Sequence, residues 1–144
     1  TVKIFNTSSY FEKSQSFTEF PAFKYKKSSL GSAKKSEIVL KIKAEMEENN
    51  YFRRSLASLP ELSKRINESQ HHVSQVINEK MGKNFFELLA WYRVEDAKKW
   101  LKTNSRQKFT IEEIAEKVGY NSKSSFNKAF KEITGQTPSQ FRNS

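Results

Sequence analysis

The 144-residue sequence contains no cysteine, which excludes a disulfide framework, a thiolate nucleophile and the usual structural zinc sites together. Histidine is nearly as scarce, with only His71 and His72. Being adjacent, they project about 100° apart on a helix and cannot converge on one metal ion. Thiol chemistry and histidine-based metal binding therefore lack their residues, and neither an enzyme activity nor a cofactor is expected. No run approaches the roughly 20 apolar residues that span a bilayer. The start lacks the charged-then-apolar order of a signal peptide, so the chain is expected to be soluble and cytoplasmic. Glycine (4 residues) and β-branched runs are scarce as well, which points to an all-α fold.

What is abundant is positive charge. Lys and Arg total 26 against 16 Asp and Glu, a formal net charge of +10 with a pI near 9.7. An anionic partner follows, either nucleic acid or an acidic membrane. The excess is shared, with 11 basic and 6 acidic residues through Ser58 and 15 and 10 after it. That distribution fits a basic folded domain better than a neutral domain with a basic arm. The length suits one domain plus an appendage.

Residues 1–32 are rich in Ser, Lys and aromatics, with Phe5, Tyr10, Phe11, Phe17, Phe20, Phe23 and Tyr25 in no sustained period. They read as a linker or the remnant of a preceding domain. From Ala33 to Asn50 the pattern becomes that of an amphipathic helix, with Ile38, Val39, Ile42 and Met46 at three- and four-residue spacing among Lys and Glu. Residues 33–57 are accordingly expected to form a connector ahead of a domain at 58–144. Helix starts then follow as a capping residue with an acid or amide three positions on: Ser58 with Glu61, Asn84 with Glu87, Thr110 with Glu113, and Thr137 with Gln140. Pro138 stands at the first position of the last helix, where a missing N–H costs nothing. Gly82, Gly119 and Gly135 fall where chains leave helices.

Within this region the chain repeats itself. Ser58, Leu62, Ser63, Ile66, Asn67, Val73, Val76, Ile77 and Gly82 are answered by Thr110, Ile114, Ala115, Val118, Gly119, Phe126, Ala129, Phe130 and Gly135. The offset is 52 before the turn and 53 after it, so the second turn is one residue longer. Each copy has the layout of a helix-turn-helix, over about 58–82 and 110–135, with a small residue where the helices approach and a turn-permissive one four positions later. The apolar positions are core. Left outward are Gln70, His71, Ser74, Gln75 and Asn78 on the first copy's second helix, and Lys123, Ser124, Asn127, Lys128 and Lys131 on the second's. Amides, hydroxyls and Lys suit base edges and phosphates in a major groove. Glu is nearly missing from both faces, whereas an ordinary solvated face would carry more acid. A helix over Phe85–Lys102 lies between the copies. Its length of about 27 Å is close to the roughly 34 Å turn of B-DNA that separates successive major-groove faces. Lipid and RNA are weaker alternatives: the apolar stripes are claimed by the helical core, and the outward faces carry no aromatics for stacking.

The segments GKNFFELLAWYRVEDAKKWL and TIEEIAEKVGYNSKSSFNKAFKEITGQTPSQFR resemble the DNA-binding domain of AraC/XylS-type transcription regulators, and the resemblance runs from Leu59 to Arg142. It is most similar to versions in which the domain is the C-terminal output of a larger sensor, membrane-embedded ones included. There KYKKSSL, Lys24 to Leu30, looks like the connector. The resemblance implies seven helices, with bases read from the third and sixth by His71, Ser74, Gln75 and Asn78 and by Lys123, Ser124, Asn127 and Lys128. Phosphate contacts are expected from Ser69, Gln70 and Lys80, from Ser122 and Lys131, and from Gln136 and Thr137, where free N–H groups at a helix start favour an anion. The implied partners are double-stranded DNA, a second copy meeting through the N-terminal helix or a sensor region, and RNA polymerase. Relatives that add alkyl-transfer chemistry use cysteines, which this chain lacks.

Overall fold

A computed structural model describes residues 30–103 and 108–144. The aromatic run of residues 1–29 and nearly all of KYKKSSL lie outside the described residues. Those described form seven α-helices and one short 3-10 turn, with no strand among them. Their order is α1 (Ser32–Glu47), the 3-10 turn (Tyr51–Arg53), α2 (Leu59–Arg65), α3 (Gln70–Met81), α4 (Phe85–Leu101), α5 (Ile111–Val118), α6 (Lys123–Thr134) and α7 (Pro138–Asn143).

The helix starts are where local chemistry puts them. Ser58 Oγ accepts from the Glu61 N–H at 3.3 Å. Asn84 and Glu87 exchange bonds of 2.8 and 2.9 Å, as do Thr110 with Glu113 and Thr137 with Gln140. Each such pair satisfies N–H groups that a helix leaves open, worth about 1 kcal/mol per cap. Two further starts use serine alone: Ser69 Oγ accepts from the His72 N–H and Ser122 Oγ from the Ser125 N–H, both at 3.1 Å.

The chain divides into two compact units, and the division is not the one expected from the sequence. Of the described residues, the first unit comprises 30–49 and 58–88, the second 50–57, 89–103 and 108–144. The stretch 33–57, set apart above as a connector, is therefore split between them. In the first unit α1 and α2 both pack on α3, burying Ile38, Ile42 and Met46 of α1, Leu62 of α2 and Val73, Val76 and Ile77 of α3 completely. The stripe that made α1 look like a free connector is thus core. Ion pairs fasten its polar edge: Lys34 and Lys41 to Glu68 (2.6 and 3.6 Å), Lys35 to Glu79 (2.8 Å) and Glu45 to Arg65 (2.8 Å).

The second unit is built around Val94, Ala97 and Leu101 of α4, Ile114, Ala115 and Val118 of α5, and Phe126 and Phe130 of α6. Trp100, Phe109, Ile111, Tyr120, Ile133 and Phe141 pack against this cluster. Residues 50–57 are clamped into it. The buried Arg93 guanidinium donates to the carbonyls of Phe52 (2.7 Å) and Arg54 (2.8 Å), and Arg53 forms a two-pronged pair with Asp96 (2.9 and 3.0 Å). Gly119, with φ +113°, closes the arrangement. A Cβ there would lie 2.7 Å from the Phe52 carbonyl oxygen and 2.8 Å from Arg93 Nε, so both backbone angle and space demand glycine.

Candidate nucleic-acid interface

Each unit holds one helix-turn-helix, and the repeat in the sequence recurs in the backbone hydrogen bonds. In the first, the Glu68 N–H donates to the Ser63 carbonyl. In the second, the Tyr120 N–H donates to the Ala115 carbonyl, both at 2.9 Å. Asn67 (φ 55°) and Gly119 supply the left-handed residue of each turn. Ser63 and Ala115 are both buried where the paired helices meet. After the turn the second copy inserts Asn121 before its cap, which is the extra residue that shifts the offset by one.

On α3, Gln70, His71 and Lys80 are exposed and Ser74 and Asn78 half-buried, with the Ser69 cap exposed before them. Gln75 departs from expectation. It is only 1% exposed, and its Nε2 donates to Glu79 Oε1 at 3.1 Å one turn further on. The periodicity placed Gln75 outward, but an amide four residues before a carboxylate can lie along the helix instead, and Glu79 is held there by Lys35 of α1. That Lys35 bond lowers the Glu79 pKa from its ordinary value, against the opposing effect of burial and with Gln75 adding to the lowering. The acids nearest this reading helix, Glu68 and Glu79, are thus both neutralised by lysines of α1. The part of Lys34, Lys35 and Lys41 in pairing these two acids escaped the sequence reading, because Glu68 and Glu79 lie 27 or more positions from them.

On α6, Lys123, Ser124, Lys128 and Lys131 are exposed and Asn127 half-buried, with the Ser122 cap exposed ahead of them. Lys123 pairs with Glu112 of α5 at 3.1 Å, so it is shared between an acid and whatever approaches. Lys128 stands in the repeat where the first unit has Gln75. The start of α7 corrects a second expectation. The N–H groups of Gln136 and Thr137 are not free: the first donates to Thr134 Oγ1 (3.1 Å) and the second to Gln140 Oε1 (2.9 Å). What remains for phosphate there is the exposed Gln136 side chain and the half-buried Thr137. Among the described residues no group of acids and histidines is placed to hold a metal ion, and no helix is long and apolar enough to cross a membrane.

Two capped reading helices on matching turns, each with a polar face poor in unpaired acid, define a helix-turn-helix DNA-binding domain of the kind used by transcription regulators. The model of a helix-turn-helix domain family matches residues 62–144, and the chain belongs to that family, in agreement with the AraC-type resemblance of its sequence. Over 85 residues it is 31% identical to the HTH-type transcriptional regulator YtdP of Bacillus subtilis (strain 168) and 39% identical to an HTH-type transcriptional regulator of Staphylococcus aureus (strain COL). Those alignments cover 59% of this chain and 11% of each relative. The solved C-terminal domain of AraT, a response regulator from Geobacillus stearothermophilus, superposes with a TM-score of 0.65 at 30% identity, covering 81% of this chain and 88% of that one.

Proposed function

We propose that the chain binds double-stranded DNA sequence-specifically through α3 and α6, as the output portion of a longer transcription regulator. The observation that carries the reading is the pair of equivalent helices whose outward residues are amides, hydroxyls, histidine and lysine on a molecule of charge +10. His71, Ser74 and Asn78 read bases on the first helix, and Lys123, Ser124, Asn127 and Lys128 on the second. Ser69, Gln70, Lys80, Ser122, Lys131, Gln136 and Thr137 contact the backbone through their side chains. Lysine supplies salt-dependent attraction and the amides and hydroxyls supply choice. One copy would place its two reading helices in successive major grooves. The extent of the relatives supports a longer parent protein, in which the preceding region senses a signal and the whole contacts RNA polymerase. A second copy would be met through that preceding region, since the stripe of α1 is already buried.

Selection of binding sites from random duplex DNA at stated salt, followed by titration of the winners, tests this. The expected result is a two-part consensus with parts about 10 base pairs apart and affinity that falls with salt. Equal affinity for every duplex would leave only a non-specific basic protein.

A further inference from the structure

Gln75 is the one predicted base reader that faces inward, and its inward state is incomplete. Its Nε2 is bonded to Glu79, yet its Oε1 is buried without any hydrogen-bond partner. A buried amide oxygen in that condition has lost water and gained nothing. The residue belongs to the reading stripe by register, with His71 four positions before it and Asn78 three after. An amide turned outward from that stripe can satisfy both of its ends on adenine N6 and N7. What opposes the turn is the chain of contacts from Gln75 to Glu79 Oε1 and from Glu79 Oε2 to Lys35 Nζ at 2.8 Å. Lys35 sits in the first turn of α1, directly after the point where the chain arrives from residues 1–31.

We propose that Lys35 and Glu79 form a latch holding Gln75 off the first reading face, and that its release adds Gln75 to the base-reading set. This rests on the DNA-reading function proposed above and deepens it: the preferred sequence of the first unit depends on whether α1 keeps its grip. Lys35 and Glu79 are positioning residues that touch no base. Lys35 shares the first turn of α1 with Lys34, whose own pair with Glu68 fastens the same end of the helix. The second unit has no equivalent, since Lys128 occupies the matching position and is exposed.

The test compares the whole 144-residue chain with its Lys35→Met, Lys35→Arg, Gln75→Ala and Lys35→Met/Gln75→Ala variants on a panel of duplexes carrying each base at each position of the selected site. Folding is checked by circular dichroism, and Lys35→Met keeps the apolar stem so that α1 retains its packing. Lys35→Met should gain a preference of roughly tenfold at one position of one half-site. The double variant should lose that gain, Lys35→Arg should behave as the parent, and Gln75→Ala alone should leave the preference of the parent unchanged within about twofold. The latch is overturned if Lys35→Met gains nothing while still binding the site, or if Gln75→Ala already erases a preference in the parent. Failure of every variant and of the parent to bind any duplex would instead sink the DNA reading itself, and the latch with it.

Discussion

At equivalent places in the repeat the first unit carries Val73, Val76 and Ile77 and the second Phe126, Ala129 and Phe130. One core is mostly aliphatic, with Phe85 also buried, under a covering helix, α1. The other is a network of rings, in which Phe126 and Phe130 meet edge to face at 5.7 Å and Phe130 meets Phe141 at 5.4 Å. The outer faces differ in the same pairwise way: a neutral stripe whose nearby acids are held by α1 lysines, against a lysine-bearing stripe in the open. One backbone frame therefore tolerates two solutions for what lies beneath it and two for what it presents. Aliphatic packing on α3 is completed by α1, which also brings the lysines; ring packing under α6 is completed from α4 and α7.

The strongest way to break the comparison is through the cores. Phe130→Ala should cost about 3–5 kcal/mol, whereas Ile77→Val at the matching position should cost about 0.5–1.5 kcal/mol. Both tryptophans, Trp91 and Trp100, lie in the second unit, so fluorescence-detected denaturation reports the first change and hydrogen exchange of α3 the second. Next come the turns. Gly119→Ala combines a positive φ with the close approach of the Phe52 carbonyl and should destabilise the second unit by about 3 kcal/mol. Asn67→Ala meets only the left-handed angle and should lose about 1 kcal/mol. Equal losses would mean that the clamp on residues 50–57 does not press on Gly119.

A smaller contrast concerns the faces. Lys128→Ala is expected to relax base choice at one position by about 1–3 kcal/mol and to reduce the salt slope by about 1 if the lysine also neutralises a phosphate. Ser74→Ala should affect choice alone and leave the slope unchanged. Titration across ionic strengths checks both, and a changed slope for Ser74→Ala would remove the division between a neutral and a cationic reading helix. Smallest is a pH effect at Glu79 of the first unit. Because Lys35 lowers the Glu79 pKa in the folded state, the stabilisation is complete above the ordinary glutamate value of about 4.3. It fades as pH falls through the lower folded value. The group is a third exposed, so the effect should stay under about 1 kcal/mol. Glu79→Gln should abolish it in acid-denaturation curves.

The parts of the fold legible in the sequence are those decided within a turn or two of helix. Caps such as Thr110 with Glu113, the turn residues Asn67 and Gly119 and the apolar stripes all depend on neighbours three or four positions away. The outward positions of α6 are equally local. What escaped depends on partners far along the chain. Gln75 points inward because Glu79 is anchored by Lys35, and residues 50–57 leave the first unit because Arg93 and Asp96, some 40 positions later, hold them. The Gln136 and Thr137 N–H groups are a different kind of miss. The Thr137 and Gln140 pattern that announces α7 already occupies the Thr137 N–H, so the signal was present in the sequence.

The clamp on residues 50–57 also bears on how such a protein can be cut, swapped or inherited. By sequence the two halves look like successive cassettes, the second following the first. By structure the second cassette includes eight residues encoded before the first one's opening cap. A fragment beginning at Ser58 keeps both repeats yet removes Tyr51 and Phe52 from the second and leaves the Arg93 guanidinium without its carbonyls. The halves are interlaced in the order of their genetic text, so either one can diverge in place, but neither can be transplanted by copying the repeat alone.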